Sequence, residues 1–87
     1  NKYFDAQLLI YNGILQEKKY LNNNLAQEYY NRGITDISYF GEYGKEYAAY
    51  AFFGLSRIAE AEGSKNSARK YRNEAIKLAD FKKINFD

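Results

Sequence analysis

Two stretches of this chain carry the same pattern. Gly13-Ile14-Leu15 sits near the middle of one apolar stretch, and Gly54-Leu55-Ser56 sits at the same place in another, 41 residues later. Behind each follows an Ala-x-x-Tyr pair, Ala26 with Tyr29 and Ala68 with Tyr71, now 42 residues apart. Self-similarity at a period of roughly 34–47 residues marks an array of helical units. A helical hairpin cannot bury its apolar face alone, so each unit stacks on a neighbour. The repeat therefore predicts an all-α chain of antiparallel hairpins and points to binding as the class of activity.

Local signals divide the chain into four helices. The first is expected over Tyr3 to Lys19, with Phe4, Leu8, Leu9, Tyr11 and Leu15 as its apolar face at three- and four-residue spacing. Asn22-Asn23-Asn24 breaks it, because asparagine favours turns and helix caps over helix interiors. The second, Asn24 to Phe40, carries a stripe of Leu25, Ala26, Tyr29, Tyr30, Gly33, Ile34 and Ile37. Gly33 costs roughly 1 kcal/mol against alanine in a helix interior. It lies where the second unit has Ala75, so both positions are expected at close helix approaches. Gly41 and Gly44 bracket the next turn. The third helix, Lys45 to Glu62, is apolar nearly all round from Tyr47 to Leu55, which predicts the central, buried element. Gly63-Ser64 separates it from the fourth, Lys65 to Asp80, striped by Ala68, Tyr71, Ala75, Leu78 and Ala79. A tail, Phe81 to Asp87, is expected to cover the open edge of the last hairpin or to dock on a neighbour.

Composition narrows the function classes. The chain has 87 residues, enough for one small domain, and its 10 tyrosines and 6 phenylalanines supply much of the core. It has no cysteine, so disulfides and thiolate metal sites are excluded. It has no histidine, the commonest general base and metal ligand. Glu60 and Glu62 stand two apart, so they project in different directions from a helix and share no site. With no glycine-rich phosphate loop either, the sequence predicts a non-enzyme with no cofactor and no metal centre. No segment reaches the roughly 20 apolar residues of a membrane-crossing helix. The chain opens on asparagine, which is expected of a processed form or a piece of something longer. Composition leaves the compartment open.

The second unit, from about Ala49 to Asp80, resembles a tetratricopeptide repeat. With Gly63 as the glycine of the inter-helix turn, Leu55 falls on the motif's leucine and Ser56 on its small residue. Ala68 and Ala75 fall on its two alanines, with Tyr71 beside the aromatic position and Leu78 on the trailing leucine. The first unit matches more loosely, through Ala26, Tyr29, Tyr30 and Gly33. Both units lack the motif's tryptophan and trailing proline, and the period exceeds the family's usual ~34. The order Gly-Leu-Ser-Arg-Ile-Ala-Glu-Ala-Glu-Gly, followed by Ala-Arg-Lys-Tyr-Arg, is similar to tetratricopeptide proteins of the Bacteroidetes type. The resemblance implies a right-handed α–α superhelix of about four helices in one domain. Its units would be residues 3–41 and 45–80, with a tail at 81–87.

It also implies a protein-interaction or scaffold role, with partners gripped by the inner faces of the two first helices. Carried over residue by residue, that face is Asn12, Gln16 and Lys19 in the first unit, and Phe53, Arg57 and Glu60 in the second. Expected partners are a peptide or protein segment, or neighbouring repeats of the same chain. A structural spacer or self-associating module, forming a homo-oligomer, is the alternative. Nucleic acid is the remotest reading. Residues 64–83 carry Lys65, Arg69, Lys70, Arg72, Lys77, Lys82 and Lys83 against only Glu74 and Asp80. Cations toward a helix C-terminus, however, also complement its dipole. Far-ultraviolet circular dichroism should show a strongly helical spectrum, and a sheet-type spectrum would sink this reading.

Overall fold

The computed structural model describes residues 1–86, with side chains through residue 79. Four helices follow one another: α1 (Lys2–Lys18), α2 (Asn23–Ile37), α3 (Lys45–Ala61) and α4 (Lys65–Phe86), with a 3-10 segment, Ser38–Gly44, between α2 and α3. No strand occurs among the described residues. The chain is all-α, as its spacing predicts. α1 packs chiefly on α2, α3 packs chiefly on α4, and the two antiparallel hairpins stack through α2 against α3 with a lighter α1–α3 contact. The shortest dimension is 19 Å, which is two helix diameters of about 10 Å each. α3 meets α1, α2 and α4, so it is the central element.

The caps follow the local chemistry. Asn22 caps α2, its Oδ1 accepting from the Leu25 amide at 3.1 Å. Asn1 does the same for α1 through the Phe4 amide. Gly63 ends α3 at φ 80°, a left-handed value that glycine adopts without strain. Between the hairpins, Gly41 takes φ 56° and ψ −128°, breaking the helical path so that α3 can turn back on α2. Tyr3 secures this link, donating its hydroxyl to the Tyr43 carbonyl at 2.8 Å and setting its ring 5.0 Å from that of Phe40. α4 runs on to Phe86, past the end expected at Asp80. The packing expected of the tail's Phe81, Ile84 and Phe86 falls outside the described side chains.

One face is corrected. α1 buries Ala6, Ile10 and Gly13, while Phe4, Leu8, Tyr11 and Leu15 of the expected apolar face stand exposed. α1 carries two apolar stripes, and the smaller side chains win the interior because they allow close approach. A Cβ on Gly13 would lie 2.6 Å from the Tyr30 ring, and a Cβ on Gly33 would crowd Ile10. Gly33 thus stands at a close helix crossing as expected, and Ala75 is fully buried.

Tyr30 is the largest fully buried side chain, and its ring lies between two glycines. Gly13 faces it from within the first hairpin, and Gly54 faces it from the second. Gly13 and Gly54 are therefore not equivalent positions. Ser56 belongs to the second hairpin: its hydroxyl donates to the Ala68 carbonyl at 2.9 Å, across the α3–α4 contact. Buried Ala6 and Gly13 of α1 match buried Ala48 and Leu55 of α3 at a spacing one residue greater than the two glycines suggest.

Replacing Gly54 by alanine tests the wedge. Helix propensity alone would stabilise the variant by about 1 kcal/mol. The added Cβ, however, meets Tyr30 ring atoms fixed on every side. Gly54→Ala should therefore destabilise by about 1–3 kcal/mol in chemical denaturation, as overpacking does. A melting temperature at or above that of the parent would show that the ring moves freely.

Candidate functional site

The polar centre of the molecule lies where the two first helices meet. Glu17, near the end of α1, accepts the Tyr30 hydroxyl on Oε1 at 2.7 Å. The Arg57 guanidinium reaches it from α3 in a fork, Nε donating to Oε2 at 2.8 Å and Nη2 to Oε1 at 2.9 Å. The Glu17 side chain is only 10% exposed, whereas that of Arg57 is 44% exposed. Burial alone would raise the Glu17 pKa. Hydrogen bonds from Arg57 and Tyr30, with the charges of Arg57 and Lys18, outweigh it and hold the carboxyl below its ordinary value. Burial drives the Tyr30 phenol far above its usual range, reinforced by the Glu17 hydrogen bond and charge. The bond to Glu17 holds Arg57 charged against the opposing effect of its own burial. The cluster is a three-member lock between hairpins, with every partner satisfied.

Arg57 was expected to stand free on the binding face. It is instead committed to Glu17, and only its outer part is open to a partner. Asn12, Gln16 and Lys19 are not brought beside Phe53, Arg57 and Glu60. α1 meets α3 through Tyr3 and Tyr11, both against Tyr47, and through Glu17. At about 3.6 residues per turn, Asn12, Gln16 and Lys19 project from roughly the opposite side of α1 from Tyr3, Ile14 and Glu17. The cause is the glycine-to-glycine match that carried the set over, because Gly13 and Gly54 face Tyr30 from different hairpins and are not equivalent. Gln16 is half-buried, and Lys19 lies over the Tyr20 ring at 5.5 Å.

The second unit's three residues do share one face. Phe53 is half-buried and Glu60 exposed, with Arg57 between them. Arg57 and Glu60 form one wall of an open groove of about 590 Å³ whose other wall is Lys65, Ala68, Arg69 and Arg72 of α4. Lys65, Arg69 and Arg72 recur at four- and three-residue spacing, so they line one edge of α4. Among the described residues, none of these three is in an ion pair. The groove thus presents a row of cations against the single carboxylate of Glu60. In the sequence the basic helix reads mainly as cations complementing a helix dipole, because nothing in one dimension joins it to Arg57.

An aromatic cluster borders the α1–α3 contact. Tyr47 is its hub, with edge-on contacts to Tyr3, Tyr11 and Tyr50 at 6.1–6.3 Å. Tyr50 donates its hydroxyl to Glu46 at 2.8 Å. Tyr71 packs on Phe52 in the second hairpin, whereas Tyr39 and Tyr43 stand open on the linker. Among the described residues no group of histidine, cysteine, aspartate and glutamate is placed to hold a metal ion, and no helix is long and apolar enough to cross a membrane. Compared with known proteins, the chain matches no family model, and no curated protein or solved structure is detectably similar to it.

The lock makes stability depend on pH. The folded-state pKa of Glu17 lies below 4.5, so the unfolded chain takes up this proton first as pH falls. Its contribution is present above the unfolded value and is lost as pH drops through the folded one. Thermal melts at about pH 7 and pH 3 should differ more for the parent than for Glu17→Gln. Arg57→Ala should cost about 1–2 kcal/mol at neutral pH, below the 3–5 of a fully buried pair because Arg57 is half in water. A loss under ~0.5 kcal/mol would show that water replaces the guanidinium without penalty.

Proposed function

We propose that this chain is a tetratricopeptide-like scaffold module of the superhelical type, which holds an acidic peptide or protein segment along the outward face of α3 and the adjoining edge of α4. The observation that carries the reading is the open groove between Arg57 and Glu60 on one side and Lys65, Arg69 and Arg72 on the other. Three cations without carboxylate partners among the described residues supply charge for an anionic chain. Phe53 stands on the same α3 face and gives an aromatic anchor beside the charges. The stacked hairpins and the small residues at Ser56, Ala68 and Ala75 support the family comparison. Arg57 serves two roles in this reading, locking the hairpins by one edge of its guanidinium and offering the other.

The groove is open, and among the described residues no group of histidine, cysteine, aspartate and glutamate is placed to hold a metal ion there, which suits recognition of a chain laid along it.

Fluorescence anisotropy with a short labelled peptide rich in aspartate and glutamate tests the groove, beside a lysine-rich control and single-stranded DNA. The acidic peptide should bind, and raising salt from ~0.05 to ~0.3 M should weaken it by screening. Arg69→Glu with Arg72→Glu should raise its dissociation constant about tenfold or more while leaving the helical spectrum unchanged. No binding of the acidic peptide overturns the reading, as does tighter binding of DNA.

A further inference from the structure

The two first helices turn matching positions to the same side of the molecule. One spacing of 42 residues relates the units throughout: Ala26 with Ala68, Tyr29 with Tyr71 and Gly33 with Ala75 in the second helices, and buried Ala6 and Gly13 with buried Ala48 and Leu55 in the first. At that spacing Phe4, Leu8, Tyr11 and Leu15 of α1 match Glu46, Tyr50, Phe53 and Arg57 of α3. The four α1 side chains are 42–55% exposed, and Tyr50 is 44% exposed. α1 and α3 lie side by side and parallel, since Tyr3 meets Tyr47 near their starts and Glu17 meets Arg57 near their ends. Their outward faces are therefore neighbours. Tyr11 joins them: its ring centre is 6.1 Å from that of Tyr47, which is 6.2 Å from that of Tyr50.

Across this shared side the surface changes character from one edge to the other. α1 supplies an apolar wall of Phe4, Leu8, Tyr11 and Leu15. α3, in the middle, supplies Tyr50, Phe53 and the outer part of Arg57. The far edge is the row of Lys65, Arg69 and Arg72 on α4. Packed helix axes lie about 8–10 Å apart, so three in a row span roughly 20 Å. An extended segment rising ~3.3 Å per residue crosses that distance in about six residues. A contiguous apolar stripe on an otherwise polar surface marks an interaction site, and the cations beside it say what kind of chain fits. A wholly acidic segment leaves the α1 wall bare. A wholly apolar one would lay hydrocarbon over charged groups, which costs their hydration.

We infer that the α1 stripe is the apolar half of one recognition surface, whose partner is a short segment acidic at one end and bearing large apolar side chains at the other. The acidic end lies over Lys65, Arg69 and Arg72, the middle passes Phe53 and the outer part of Arg57, and the apolar end seats on Tyr50, Tyr11, Leu15 and Leu8. The inference rests on the groove reading above for the acidic end, and adds the partner's apolar half and the way it lies. It also replaces the first unit's expected contribution. Matching buried positions instead of glycines moves Asn12 and Gln16 back by one residue to Tyr11 and Leu15. One residue is about 100° around a helix, enough to exchange a polar wall for an apolar one.

Two labelled peptides of about eight residues, long enough to cross the three helices, test it by anisotropy on the 87-residue chain. One is acidic throughout. The other keeps an acidic half and carries leucine and phenylalanine in the remainder. The mixed peptide should bind about tenfold or more tightly than the acidic one. Leu8→Gln with Leu15→Gln should abolish that gain while leaving the acidic peptide's dissociation constant and the helical spectrum unchanged. Both side chains already face solvent, and glutamine is close to leucine in helix propensity. Arg69→Glu with Arg72→Glu should weaken both peptides. A mixed peptide that gains nothing over the acidic one overturns the inference and leaves the groove reading standing, as does a gain that survives the Leu8 and Leu15 changes. Failure of both peptides to bind overturns the two together.

Discussion

The ring of Tyr30 sets the geometry of this molecule. It is fully buried between α1 and α3, and both helices must carry glycine where they face it, because a Cβ at Gly13 or Gly54 would lie within 2.6 Å of its atoms. Burying so large a side chain supplies roughly 1.5–3 kcal/mol relative to exposure. Its hydroxyl cannot be left bare in the interior, and Glu17 accepts it. That carboxylate in turn needs a cation, and Arg57 supplies one from the next hairpin. One aromatic wedge thus joins the two hairpins by shape, and its polar tip joins them again by charge.

The wedge also makes the two units inequivalent. The first unit places a glycine inside its hairpin and the second places Ser56 there, bonded to Ala68. Gly54 serves the junction instead of the hairpin. On α2 the ring that fills the junction is Tyr30, whereas 42 residues later α4 carries the exposed Arg72. The inner junction is therefore apolar and closed, while the outer edge of the second hairpin is cationic and open. The same architecture that repeats in sequence ends in two unlike faces, one aromatic and aliphatic on α1, one basic beside α3.

Legibility followed periodicity. The four helices, the Asn22 cap, the turn at Gly63, the central burial of α3 and the close approach at Gly33 were all readable from local chemistry and spacing. α1 was readable as a helix but not in its orientation. It carries apolar residues on two sides, and spacing alone favours the larger set, Phe4, Leu8, Tyr11 and Leu15. Packing chose Ala6, Ile10 and Gly13, since only small side chains let α1 approach Tyr30. The face assigned to Asn12, Gln16 and Lys19 slipped for a related cause. Matching glycine to glycine is natural in one dimension, yet the two glycines share a contact and not a role.

By itself the sequence determined an all-α chain of four helices in two hairpins, because hydrophobic period, caps and glycine turns act over a few residues. It also determined that no cysteine or histidine side chain takes part anywhere in these 87 residues. Only the tertiary structure decided which stripe of α1 goes inside, which glycine faces which neighbour, and which carboxylate Arg57 takes. Those choices join residues 17 to 40 positions apart, such as Tyr30 with Gly13 and Gly54, and Glu17 with Arg57. They depend on how closely two helices can approach and on whether a buried oxygen finds a donor. No local period encodes either condition.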